Sequence, residues 1–126
     1  MFIPLDYRSR TPIYEQIKEF IILEIAKGTL QPNEKLPSLR QLSSELSLNI
    51  NTIKRAFSEL ESQGITYSVA GKGIFVSDDQ KGIKLYVKDI TENIINEVED
   101  AKNLGVTKEQ MIEIINNIYK GADEEW

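Results

Sequence analysis

Between Arg40 and Arg55 the chain sets out six side chains that can hold an anion or read a hydrogen-bonding edge: Arg40, Asn49, Asn51, Thr52, Lys54 and Arg55. Guanidinium and ammonium groups suit phosphate. The amide of asparagine, donor on one side and acceptor on the other, suits the edge of a base. Ala70-Gly71-Lys72-Gly73 adds a second short basic element, in which glycines let the backbone come close to a phosphate. Its spacing is not that of a nucleotide-binding P-loop. Other chemistry is poorly provided for. With no histidine and no cysteine, the chain lacks the usual general base at neutral pH, the usual zinc ligands and any thiol. An enzyme, a metal centre and a cofactor are therefore not expected.

The elements that must position these groups are a helix, a tight turn and a second helix. Ser38 is placed to cap the first, with Gln41 three residues on to close a capping box. Leu39, Leu42 and Leu46 recur at helical spacing and make one face apolar. Asn49 is the N-cap of the second helix, where Ile53, Ala56, Phe57 and Leu60 form the next apolar stripe. Asn51, Thr52, Lys54, Arg55 and Ser58 fall off that stripe. This is the pattern of a helix-turn-helix, whose second helix reads double-stranded DNA with its N-terminal end.

The flanking segments agree. Thr11-Pro12 signals a helix start, hydroxyl at the N-cap and proline at the first helical position, giving a helix over 12–27 that ends at Gly28. Its stripe is Ile13, Ile17, Phe20, Ile21 and Ile25. Residues 31–34 read as a turn. After the second helix, which ends near Gln63 with Gly64 as its cap, residues 65–69 and 74–76 read as two strands joined by Ala70 to Gly73. A hairpin there is the wing of a winged helix. The first ten residues are an irregular arm that packs Phe2, Ile3 and Leu5 on the domain. Arg8 and Arg10 in it are candidates for phosphate contact.

The net charge of −5 is unusual for a chain that meets nucleic acid. It is unevenly spread: residues 1–77 hold nine Lys/Arg against eight Asp/Glu, and residues 78–126 hold six against twelve. The acid lies in the second segment, and screening over roughly 8–10 Å makes local placement count for more than the total. No apolar run reaches the roughly 20 residues of a membrane span, and no signal peptide opens the chain, so the expected location is the cytoplasm.

Residues 1–77 are thus expected to form a DNA-binding domain and residues 78–126 a short helical segment. Ile83, Val87, Ile90, Ile94, Val98 and Ala101 mark one long amphipathic helix. Thr107 and Gln110 form a capping box for a last helix that stops at Gly121, before a loose acidic tail, Ala122 to Trp126. Met111, Ile114, Ile115 and Ile118 make one stripe on that helix, and Ile112 and Tyr119 extend it round. A helix apolar over so much of its circumference must be covered on two sides. Ile90, Ile94, Val98, Met111, Ile112, Ile115, Ile118 and Tyr119 are the expected dimerisation residues.

Residues 11–76 resemble the GntR family of bacterial transcription regulators. The resemblance rests on Leu36-Pro37-Ser38, Arg40, Leu42, Leu46, Asn51-Thr52-Ile53, Ala56, Leu60, Gly64, Gly71-Lys72-Gly73 and Phe75-Val76, and on an opening Pro12-Ile13-Tyr14-Glu15-Gln16-Ile17. The two helices that follow, and Asn49-Ile50-Asn51-Thr52, look like the YtrA subfamily, whose short C-terminal part serves dimerisation. The resemblance implies a mainly α winged helix-turn-helix with a two-stranded wing and a two-helix dimerisation segment. It implies a repressor that binds an inverted-repeat operator as a homodimer. The family's DNA contacts carry over onto Arg40, Asn49, Asn51, Thr52, Lys54 and Gly71, with Arg55 and Lys72 as weaker matches. Ile50 and Lys54 stand where arginine is common in other subfamilies, so base preference does not carry over. The alternative is a winged-helix adaptor that binds protein and not DNA. The residues name no effector ligand.

Overall fold

The computed structural model describes residues 1–123. Five helices and a two-stranded antiparallel sheet follow in the order α1 (Ile13–Lys27), α2 (Leu39–Leu46), α3 (Ile50–Ser62), β1 (Thr66–Val69), β2 (Gly73–Val76), α4 (Lys81–Asn103) and α5 (Lys108–Asp123). The chain divides into two compact units, Met1–Tyr86 and Val87–Trp126.

In the first unit α1 and α2 pack on α3, and the hairpin follows α3 directly. Ile17 and Ile21 of α1, Leu42 of α2, Ile53 and Leu60 of α3, and Ile65 and Val76 of the hairpin are fully buried together. These are the apolar stripes that the sequence marks, each turned inward because water is excluded from one face only. The unit extends beyond residue 77. Ile83 and Tyr86, in the first turns of α4, pack against the same core. Burial pushes the Tyr86 phenol above its usual range, and the carboxylates of Glu19 and Glu15 on α1 add to that, against an opposing effect of Lys18. Gly82 is buried there, and a Cβ on it would lie 2.6 Å from the Gln63 carbonyl oxygen and 2.8 Å from that of Gly64. Only a residue without a side chain allows α4 to start so close to the α3–β1 turn.

Several local expectations need correction. α1 starts at Ile13, and Pro12, not Thr11, holds the N-cap position without a side-chain cap. The reason is that the first helical bond, Gln16 N–H to the Pro12 carbonyl, closes on the proline itself. The Gln16 amide donates to the carbonyls of Thr11 and Asp6 and accepts from the Asp6 N–H, tying the arm to α1. Ile3 of the arm is buried, but Phe2 is 82% exposed and does not pack. Only half of the first capping box forms: Ser38 Oγ accepts from Gln41 N–H at 3.0 Å, while the Gln41 amide turns to Glu45. Residues 33–36 are more than a turn. Leu36 N–H donates to the Ile74 carbonyl and Asn33 N–H to that of Val76, both at 2.8 Å, and Val76 N–H returns a bond to Glu34. This segment therefore pairs along β2 and stiffens the hairpin. α5 runs through Gly121 to Asp123, because a helical glycine costs only about 1 kcal/mol relative to alanine. Of the tail expected to be loose, residues 124–126 lie outside the described residues.

The second unit is a helical hairpin, the later turns of α4 and α5. Its capping box does form: Thr107 Oγ1 accepts from Gln110 N–H at 3.2 Å and Gln110 Oε1 accepts from Thr107 N–H at 2.8 Å. Among its described residues no apolar side chain is buried. Among the described residues of the whole chain no helix is long and apolar enough to cross a membrane.

Candidate nucleic-acid interface

The turn between α2 and α3 is fixed by short-range chemistry. Ser47 takes a left-handed backbone (φ 52°), which serine adopts at a cost, and Ser43 Oγ donates to the Leu48 carbonyl at 2.6 Å to hold the chain there. Asn49 then caps α3, its Oδ1 accepting from Asn51 N–H at 2.8 Å. α3 rests on the core through Ile53, Ala56, Phe57 and Leu60. The rest of its surface has two flanks with different fates.

One flank is Asn51, Lys54, Ser58 and Glu61, all exposed. With Leu39 of α2 and Ser68 and Ile74 of the hairpin they line an open groove between the helix and the wing. Lys54 makes no ion pair, and the Asn51 amide makes no hydrogen bond, among the described residues. Both stand on the first turn and a half of α3, the end of a recognition helix that meets base edges. Glu61 and Ser68 belong to this groove and sequence reasoning missed them. Glu61 was findable, since it follows Lys54 by seven residues, about two turns, and so shares its helical stripe.

Arg55 borders the same groove beside Asn51, and together with Glu59 on the adjoining flank it is engaged with α1. The Arg55 guanidinium lies over the Tyr14 ring, 3.7 Å from its centroid, and donates to the Tyr14 hydroxyl at 3.0 Å. Its Nε is 3.4 Å from Glu59 Oε2. Glu59 Oε1 in turn accepts from Lys18 Nζ at 3.1 Å. That hydrogen bond from Lys18 holds the Glu59 carboxyl below its ordinary range, opposed by partial burial and helped by Arg55. Arg55, a candidate DNA contact by sequence, thus already has partners inside the protein. Thr52 is half-buried on the same side.

The remaining candidates are separate. Arg40, on the first turn of α2, is exposed and without an ion pair among the described residues, as is Lys72. Gly71 and Lys72 sit at the tip of the wing, in a turn closed by Lys72 N–H donating to the Val69 carbonyl at 2.9 Å. Gly71 has φ 74°, which a type II β-turn requires of its third residue and which glycine supplies without strain. Nothing lies within 4 Å of where its Cβ would be, so backbone geometry and not crowding within the protein asks for glycine. Arg8 and Arg10 of the arm are exposed. Among the described residues no cluster of side chains is placed to hold a metal ion.

Comparison with known proteins gives this geometry its context. Residues 13–76 match the model of the family described as bacterial regulatory proteins, gntR family. The chain is 37% identical over 118 residues to the HTH-type transcriptional repressor YtrA of Bacillus subtilis, covering 92% of this chain and 91% of that protein. A GntR family transcriptional regulator from Listeria monocytogenes has the same fold, with a TM-score of 0.72 and 35% identity over 88% of this chain and 98% of that one. The DNA-binding domain of AraR, solved in complex with an operator, matches 59% of this chain and 89% of that one, with a TM-score of 0.52 and 38% identity. The family and these relatives are regulators of transcription, not enzymes. With its winged helix, its exposed polar flank on α3 and the match over residues 13–76, the chain belongs to the GntR family of bacterial regulatory proteins, transcription regulators with a DNA-binding domain.

Proposed function

We propose that this regulator is a repressor that binds an inverted-repeat operator as a homodimer in the cytoplasm, each copy laying α3 in the major groove. The observation that carries the reading is the outward flank of α3, where Asn51 and Lys54 stand exposed and uncommitted at the N-terminal end. Asn51 has the bidentate geometry for adenine, and Lys54 donates to the guanine edge. Arg40, Asn49, Lys72 and the backbone at Gly71 serve the phosphates on either side, and Thr52 supports them from its half-buried place. Similarity to a protein described as a repressor supports the sign of regulation. The operator complex of the AraR domain supports the partner. The second unit supports the dimer. Ile90, Ile94, Val98, Met111, Ile112, Ile115, Ile118 and Tyr119 expose apolar surface that a second copy would cover.

The test is selection of duplexes from a random-sequence library by the full chain, followed by a shift assay. The expected result is an enriched inverted repeat with half-sites about one helical turn, ~34 Å, or a multiple of it apart. No enrichment of any sequence would sink the reading and favour a winged-helix adaptor that binds protein.

A further inference from the structure

We propose that Tyr14 and Arg55 form a clamp that fixes the rotation of α3 about its own axis, so that both are positioning residues for base recognition and neither touches the DNA. The inference rests on the DNA-binding reading above and concerns how the recognition helix is aimed. The apolar stripe of α3 holds the helix to the core, but hydrophobic contact is non-directional and sets no angle sharply. A functional constellation tolerates roughly 10–20° of misalignment. Directional contacts are needed to reach that, and in α3 they lie on the α1 side. Tyr14 and Lys18 are one turn apart on α1, and Arg55 and Glu59 are one turn apart on α3. The first rung is the guanidinium stacked over the Tyr14 ring at 3.7 Å and bonded to its hydroxyl at 3.0 Å. The second is Lys18 Nζ to Glu59 Oε1 at 3.1 Å. Arg55 Nε to Glu59 Oε2 at 3.4 Å ties the rungs together. Arg55 follows Lys54 in sequence but lies about 100° round the helix from it. Its hold on Tyr14 therefore fixes where Lys54 and Asn51 point.

The experiment uses the full chain, the duplex it selects from a random library, and a scrambled duplex, with affinities followed by fluorescence anisotropy across a salt series. Arg55→Ala and Tyr14→Leu are each expected to lower the ratio of selected to scrambled affinity by roughly two- to fivefold, the scale of an exposed cation–π contact. The double variant should be no worse than the worse single one, because both remove the same clamp. The salt slope on scrambled DNA should not change. A slope reduced by about 1 in Arg55→Ala would mean a phosphate contact and overturn the proposal. Additive losses in the double variant, or equal loss on both duplexes with a lowered thermal midpoint, would overturn it too. Where Tyr14→Leu fails to fold, Tyr14→Phe keeps the ring and removes the hydroxyl bond. An intermediate loss of discrimination supports the clamp, and unchanged discrimination sinks it. Failure of the wild-type chain to enrich any duplex would strike the DNA-binding reading itself.

Discussion

Lys18 Nζ lies 3.1 Å from Glu59 Oε1, and the lysine is only 5% exposed while the Glu59 side chain keeps 35% of its surface. A buried ammonium without a partner is costly, whereas a well-packed apolar replacement for such a group is often tolerated. Glu59→Gln should therefore destabilise the fold by about 1–2 kcal/mol, less than the 3–5 of a fully enclosed pair, because water screens the exposed carboxylate and Glu15 Oε1 stays 3.8 Å from Lys18 Nζ. Lys18→Met should stay within about 1 kcal/mol of the parent. Thermal unfolding measures both. A Glu59→Gln variant as stable as the parent would show that the ion pair holds nothing.

The same pair sets a pH dependence. The folded carboxyl of Glu59 lies below its ordinary 4.5, first because of the Lys18 hydrogen bond. A depressed carboxyl contributes its stability in full above the unfolded value and loses it as pH falls through the folded one. The stability gap between parent and Glu59→Gln should thus be constant from pH 6 to 8 and close below 4.5. A gap that persists at pH 3 would assign the effect to packing.

Base reading and backbone contact separate by residue. Asn51→Ala and Lys54→Ala should each weaken binding to the selected duplex by about 1–3 kcal/mol and scarcely affect scrambled DNA. Arg40→Ala should weaken both about equally and flatten the salt slope by about 1. Intact affinity in Lys54→Ala would remove the N-terminal turn of α3 from the base edges.

Two glycines should respond differently. Gly71→Val meets open space but must hold φ 74°, so it should cost about 1–2 kcal/mol of stability as well as DNA affinity. Gly82→Ala has no room, since its Cβ would meet the carbonyls of Gln63 and Gly64 at 2.6 and 2.8 Å, and the α4 start must move. A loss of about 1–3 kcal/mol is expected, the cost of overpacking. Thermal midpoints unchanged in Gly82→Ala would show that α4 starts with slack.

What the sequence made legible was what local chemistry decides. Ser38, Asn49 and the Thr107–Gln110 pair cap helices because a cap bonds within three residues, and the stripes of α1, α2 and α3 follow from helical period alone. The pairing of residues 33–36 with β2 was hidden, because its partners stand some forty positions away. Lys18 was hidden for the same reason: nothing nearby in sequence says that a lysine on α1 will be buried against Glu59. The candidate site divides likewise. Asn51 and Lys54 were legible as exposed, while the fate of Arg55 depended on Tyr14, 41 residues earlier.

Assembly is the last expectation, and the second unit bears most on it. Along the later part of α4, Ile90, Ile94, Ile95 and Val98 are exposed, and along α5 so are Ile112, Ile114, Ile115, Ile118 and Tyr119. The α4–α5 hairpin has an open apolar recess lined by Ile90, Ile94, Val98, Ala101, Met111 and Ile114. A helical hairpin of this length without a buried core of its own is too small to be stable alone. Apolar surface so continuous marks an interaction site. A second copy is the occupant that also serves recognition. One winged helix makes few base contacts, and joining two through a two-fold axis turns the second contact into an intramolecular one. The full chain should therefore scatter light as a dimer without DNA. Ile94→Asp with Ile115→Asp should give a monomer whose first unit stays folded and whose operator affinity falls by roughly 10²–10⁴. Cutting the chain after residue 77 is a poorer test, because it also removes Ile83 and Tyr86 from the core of the first unit. A monomer mass for the parent at micromolar concentration would sink the idea, and so would a charged double variant that binds the operator as tightly as the parent.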